Sequence, residues 1–115
     1  MIDDWTTGGA AIAYQRCTAC GGIWYFRRSF CPSCGGAPET LASSGAGTVH
    51  AATLVARAPS PELRALAPYA ILLVDMDEGF RMMAHGAQGL GIGERVRARF
   101  AEFAGRRVPH FEREP

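Results

Sequence analysis

The chain has 115 residues, 48% of them hydrophobic, with twelve cations (all arginine) against eleven anions and a formal charge of +1 at neutral pH. That length allows one modest domain or a mini-domain joined to a small one, and nineteen alanines limit the core it can build. The balanced charge argues against a non-specific nucleic-acid binder, which needs a basic excess to neutralise phosphates.

Residues 1–14 are polar and glycine-rich, and read as an irregular arm with a turn around Trp5. Its opening, "MIDDWTTGG", has neither the basic n-region nor the apolar h-region of a secretory signal. The longest apolar run, Tyr69 to Val74, falls far short of the roughly 20 residues that cross a bilayer. A cytoplasmic protein with no membrane segment is therefore expected. In that compartment cysteine pairs read as metal ligands or redox sites rather than structural disulfides.

Residues 15–37 hold all four cysteines as two Cys-x-x-Cys pairs, Cys17/Cys20 and Cys31/Cys34, ten residues apart. Four thiolates on two knuckle turns suit a tetrahedral Zn²⁺. Both pairs are followed directly by glycine, in "CTACGG" and "CPSCGG", where a knuckle needs positive φ. Pro32 pre-sets the second turn. A thioredoxin-like redox motif is usually single and opens a helix in a βαβ unit, and no such unit follows here. Rubredoxin-type iron uses the same ligands, so iron stays open, with zinc preferred for lack of an electron-transfer context. Four protein ligands leave no position for substrate, so the metal is read as structural.

Between the pairs lies "IWYFRRSF". Trp24, Tyr25 and Phe26 give a tiny metal module its core and its contact with a neighbouring domain. The other reading is a stacking platform for bases or an adenine ring, flanked by Arg27 and Arg28.

Residues 38–47 are small and turn-forming, and read as a linker. From Thr48 to the C-terminus the pattern is β. A first strand starts at Thr48 and ends before "APSP", and "PSPELRALAP" allows one helical turn. "YAILLVDM" is a continuous apolar run, the mark of a strand buried on both faces or at a barrel corner. "DMDEGF" is a turn and "FRMMAHG" the returning strand, with Met82 and Met83 pointing to opposite sides. "ERVRARFAEF" fits a helix at Val96, Phe100 and Phe103, and a strand where Arg95, Arg97 and Arg99 alternate with Val96, Ala98 and Phe100. The preceding hairpin favours the strand. "RVPHFE" closes as a short edge strand that tolerates Pro109. Four or five short strands after a cysteine module make a mainly β protein with a small barrel.

Taken in order, these pieces resemble a known family, the zinc-ribbon OB-fold proteins once catalogued as domain of unknown function 35. The resemblance runs through "YQRCTACG", Arg28 before "CPSCG", "GAGTVHAATLV", "PYAILLVDMDEGFRMMAHG", "LGIGERVRARF" and "PHF". It implies a rubredoxin-like zinc ribbon followed by an OB-fold barrel. It also implies a non-catalytic accessory subunit that binds a thiolase-superfamily enzyme (thiolase, aldolase or acyltransferase) in a hetero-oligomer. Such a subunit scaffolds an acyl-CoA-processing complex or forms part of its CoA-ester channel, and is not an enzyme by itself. The alternative is a single-stranded nucleic-acid-binding zinc-ribbon OB protein. Two features depart from the family pattern: Phe26 and Arg27 stand where it often has prolines, and the arm replaces a longer N-terminal helix.

Arg95, Arg97 and Arg99 would share one strand face. They read either as a solvated face balanced by Glu94 and Glu102, or as a cationic strip for CoA phosphates or an acidic partner. They join Trp24, Tyr25, Phe26, Arg27 and Arg28 as candidate CoA-ester or partner contacts. Asp75, Asp77 and Glu78 span a turn ending in Gly79, where such residues are required for the bend. His50, His85 and His110 are scattered, and no serine or cysteine nucleophile has a motif around it.

Overall fold

The computed structural model describes residues 3–57 and 60–114. Its elements are strands β1 (Ala13–Cys17), β2 (Ile23–Trp24), β3 (Pro38–Ala42) and β4 (Ala46–Val55), a one-turn helix α1 (Pro61–Arg64), then β5 (Tyr69–Met76), β6 (Arg81–Gly86), β7 (Arg95–Phe103) and β8 (Arg106–Arg113). β2, β1 and β3 form a small antiparallel sheet, while β4–β5–β6–β8–β7 close into a barrel. The fold is thus a cysteine-bearing ribbon followed by an OB-type barrel.

The arm turns once, as a 3₁₀ segment at Trp5–Thr7 capped by the Asp4 side chain. Ile12 then drops into the barrel core and anchors it. Residues 38–47, read as a linker, instead supply strand β3, which pairs with all of β1 from Ala13↔Ala42 to Cys17↔Pro38. β3 is half-buried nearly throughout, so its sequence carries no alternation that would betray a strand.

In the barrel, inward positions alternate with outward ones. β5 runs half-buried/buried along its whole length rather than being buried on both faces. Its inward residues Leu72, Val74 and Met76 meet Val49, Met82, Ala84, Val96 and Phe111 in one cluster. Met82 is buried and Met83 exposed, on opposite sides of β6. Within "ERVRARFAEF" the strand runs from Arg95 to Phe103, because its inward Val96 fills the core while the arginines face out. β8 is not an edge strand: it pairs antiparallel with β7 and, at His85↔His110 and Gly86↔Phe111, parallel with β6, which closes the barrel. Pro109 fits because pairing to β6 begins only at His110.

The ribbon docks on the barrel through aromatic rings. Phe80, from the turn between β5 and β6, lies between Tyr14 (centroids 5.0 Å) and Tyr25 (5.6 Å), both nearly parallel to it. The same turn supplies a polar clasp. Glu78 accepts hydrogen bonds from the Ser43 hydroxyl (2.7 Å) and the Ser44 N–H (2.8 Å) at the ribbon's exit.

Candidate functional site

The two cysteine knuckles have the same local build. In each, the first cysteine's N–H reaches the carbonyl five residues on, Cys17 to Gly22 and Cys31 to Gly36, both at 2.8 Å. Each also has a return bond of 3.0 Å from Gly21 or Gly35 to its first cysteine's carbonyl. Gly21 and Gly35 sit at φ of 76° and 78°, a conformation that only glycine adopts freely. Gly36 is required for space instead: a Cβ there would lie 2.9 Å from the Cys17 sulfur.

This backbone brings the four sulfurs together. Cys17 and Cys34 are 3.5 Å apart, Cys20 and Cys31 3.7 Å, and all four Sγ atoms lie within 4.8 Å of one another. Tetrahedral coordination with metal–sulfur bonds of about 2.3 Å sets sulfurs about 3.8 Å apart, so the donors fit such an ion. Backbone N–H groups at 3.4 Å, from Ala19 and Cys20 to Cys17 and from Ser33 to Cys31, point at the buried sulfurs. The Cys20 N–H leads in lowering the Cys17 thiol to about 6. At Cys34 the Gly36 N–H acts the same way, but neighbouring Cys17 and Cys20 override it and push that thiol up to about 12. The Cys31 thiol is lowered as well, led by the Cys34 N–H, so the cluster ionises readily at its two buried sulfurs and resists further charge at Cys34, a conflict that a bound cation removes. The four cysteines are positioned to bind a metal ion and would saturate it.

The loop between the pairs is held by one buried side chain. Gln15, 5% exposed, accepts from the Trp24 indole N–H (2.7 Å) and the Arg28 backbone N–H (2.6 Å). Tyr25 accepts from the Trp5 indole at 3.0 Å and stacks on Phe80. Trp24 and Tyr25 are thus engaged within the fold. Phe26 (78% exposed) and Phe30 (63%) project outward, with exposed Arg28 beside them. Arg27 reaches towards Asp4 at 3.8 Å.

Tyr25, Phe26 and Arg27 line a cavity of about 360 Å³ together with Asp4, Trp5, Tyr14, Gln15 and Thr40. Arg95, Arg97 and Arg99 do not reach it. Those three do share an outer face, but their partners are not Glu94 and Glu102. Arg95 makes a bidentate pair with Asp77 and Arg99 pairs with Glu112 at 2.8 Å, while Arg97 forms no ion pair or hydrogen bond among the described residues. Asp75 pairs with Arg81 and faces His50, so with Asp77 and Glu78 the acidic turn is fully engaged in holding the fold. His50 sits at a bulge in β4, whereas His85 and His110 are neighbours across β6 and β8. The sequence reading missed Asp4, Trp5, Tyr14 and Gln15 as parts of a site. The one local signal was a tryptophan isolated in a polar arm.

Two family models cover this architecture: "ChsH2, rubredoxin-like zinc ribbon domain" over residues 11–39 and "ChsH2, C-terminal OB-fold domain" over residues 41–101. The chain belongs to the ChsH2 family. A relative described as a DUF35 domain-containing scaffold protein, from Methanothermobacter thermautotrophicus, is 33% identical over 70 residues. The match takes in 59% of this chain and 52% of that relative, so the chain spans about half the relative's length. Among solved structures, the Ltp2-ChsH2(DUF35) aldolase superposes with a TM-score of 0.76 at 26% identity, over 90% of this chain and 84% of that one. A DUF35-family protein of unknown function from Sulfolobus solfataricus shares the fold, with a TM-score of 0.59 at 16% identity over 90% and 76% of the two chains. Among the described residues of this ChsH2-family chain, no helix is long and apolar enough to cross a membrane.

Proposed function

We propose that this ChsH2-family chain is a non-catalytic scaffold subunit of an acyl-CoA-processing complex, seated on a thiolase-superfamily enzyme, with Zn²⁺ in its four-cysteine site. The observation that carries this reading is the likeness, over 90% of the chain, to the ChsH2 component of an aldolase complex. The chemistry of the chain supports it. A metal held by all four cysteines keeps no open position for substrate. No serine or cysteine outside that cluster stands against a histidine base in any hydrogen bond of the described residues. The exposed pair Phe26 and Phe30, edged by Arg27 and Arg28, is the outward apolar surface of the ribbon and the part best suited to a partner contact. Arg97, which forms no ion pair among the described residues although its charge reaches Asp77, is the remaining candidate from the arginine strip for a CoA phosphate or an acidic partner surface.

Affinity purification of the tagged chain from its native source tests this directly. Recovery of a thiolase-like subunit, with acyl-CoA turnover in the complex and none in the chain alone, is the expected result. Turnover by the isolated chain would make it an enzyme. Binding to single-stranded oligonucleotide with steep salt dependence would move it to the nucleic-acid class.

A further inference from the structure

The cavity between the arm and the ribbon has an unusual wall. Trp5, Tyr14, Tyr25 and Phe26 contribute aromatic rings, and a carboxylate, Asp4, is set among them with its side chain only 10% exposed. One oxygen of that carboxylate, Oδ1, is committed to the arm's own turn, accepting from the Thr6 N–H (3.1 Å) and the Thr6 hydroxyl. The other, Oδ2, accepts no hydrogen bond among the described residues: it is held only by a long ion pair, 3.8 Å from the Nη2 of half-exposed Arg27. A carboxylate oxygen that stays accessible to the cavity and is held only by a long ion pair can take a better-placed cation. Aromatic rings around it favour one as well, since their electron-rich faces attract positive charge within about 6 Å. The field of Asp4 also reaches Tyr25, whose hydroxyl is raised above its ordinary value first by burial and further by that carboxylate.

We propose that this cavity is a cation socket that receives an arginine side chain of the partner subunit, its guanidinium donating to Asp4 Oδ2 among the rings of Trp5, Tyr14, Tyr25 and Phe26. Arginine suits the socket better than lysine. Its planar, weakly hydrated guanidinium stacks on aromatic rings while donating in-plane to a carboxylate, whereas an ammonium keeps its water. The volume, about 360 Å³, admits one such side chain together with the partner backbone that carries it. Arg27 is the resident competitor for the same carboxylate and swings aside when the socket fills. The identity of the occupant's owner rests on the scaffold reading above; the socket's preference for a cation does not.

The test uses the metal-loaded full chain and two small probes of nearly equal shape, ethylguanidinium and neutral N-ethylurea, followed by NMR at the indole N–H signals. Trp5 lines the cavity and reports on it, while the barrel-core amides of Val74 and Val96, recorded in the same spectra, serve as the internal reference. Ethylguanidinium is expected to shift the Trp5 signal saturably, and N-ethylurea to leave it in place. Asp4→Asn keeps an N-cap acceptor of equal quality for Thr6 but removes the charge, and should weaken the cation response by roughly tenfold. Arg27→Gln removes the competitor and should strengthen it. An equal response to the neutral probe, no saturable response to the cation, an unaffected Asp4→Asn chain, or a weakened Arg27→Gln chain would each overturn the socket. The partner claim separates cleanly. A cation response in a chain that recovers no partner sinks the scaffold reading alone. A partner recovered undiminished by Asp4→Asn sinks the arginine contact alone.

Discussion

The ribbon and the barrel are held together by different means. The barrel closes over a continuous apolar cluster in which Val74, Val96 and Phe111 are wholly buried. The ribbon sheet has almost nothing of that kind. Apart from Ala13 its buried residues are Cys17, Cys31 and the polar Gln15, and its aromatic rings are turned towards the arm and the barrel rather than into a centre of its own. One unit is stabilised by area removed from water, the other by four converging sulfurs and one amide. A module of that size without its own core depends on the metal, because binding free energy is then folding free energy.

Removing the metal is the largest way to expose the difference. Structural zinc is worth about 10–16 kcal/mol in isolated finger peptides, far above anything Ala13 and two cysteines contribute by burial. In Cys17→Ser, stoichiometric metal should be lost by elemental analysis, and the amide signals of β1–β3 should collapse while those of β4–β8 stay dispersed. A barrel that melts with the ribbon would show that the Tyr14–Phe80–Tyr25 stack and the Glu78 clasp make them one cooperative unit.

The converse cut is Phe111→Ala. A fully buried phenylalanine at the barrel seam should cost about 3–5 kcal/mol in urea unfolding. Metal content below the transition should be unchanged. Metal released in parallel with barrel unfolding would again argue for a single unit.

The parts that were readable in the sequence follow the same division. The cysteine spacing and the glycines after each pair are local, so the knuckles could be read directly. Alternation in "FRMMAHG" and "RVRARF" likewise marked barrel strands, since one face of each meets the core. What was not legible was non-local. β3, with proline at its start, threonine at its centre and serines just beyond its end, looks like a turn, and becomes a strand only because β1, some twenty residues earlier in the chain, offers an edge. Asp4, Trp5, Tyr14, Gln15 and Tyr25 come from the arm, β1 and the inter-pair loop, and nothing in their spacing announces that they meet. The arginines of β7 find Asp77, Glu112 and Glu114 across the barrel rather than their sequence neighbours, because register, not proximity in the chain, sets the partner.

Within the ribbon, Gln15 tests whether a single amide does what a core would. Gln15→Leu leaves the Trp24 indole N–H and the Arg28 N–H without their acceptor. Each lost partner costs about 1–3 kcal/mol when water cannot replace it, and Trp24 is half-buried, so the low end is expected. The readout is metal transfer to a chelator, which should quicken in Gln15→Leu with the barrel's urea midpoint fixed. Unchanged transfer would mean that the sulfurs alone hold the loop.

The smallest effect belongs to the barrel and runs with pH. His85 packs against Phe103 (centroids 4.0 Å) and Tyr69 (5.6 Å), with His110 opposite it on β8. Burial first, then the neighbouring His110, hold its titration below the ordinary histidine value of 6.5. Its Nδ1 is buried with no hydrogen-bond partner among the described residues, so an added proton there would find no acceptor. Between the folded value and about 6.5 the unfolded chain therefore binds more protons than the folded one, and stability falls as pH drops through that window. It is fully present above the window and levels off below the folded value. The ring is partly exposed, so the loss should be modest, and it should appear in the barrel's urea midpoint with the cysteine site left out of account by comparing His85→Gln with the parent at each pH. The substitution should flatten the slope between pH 7 and the folded value. A slope that survives intact would assign the pH dependence to another group and leave the seam between β6 and β8 indifferent to its histidines.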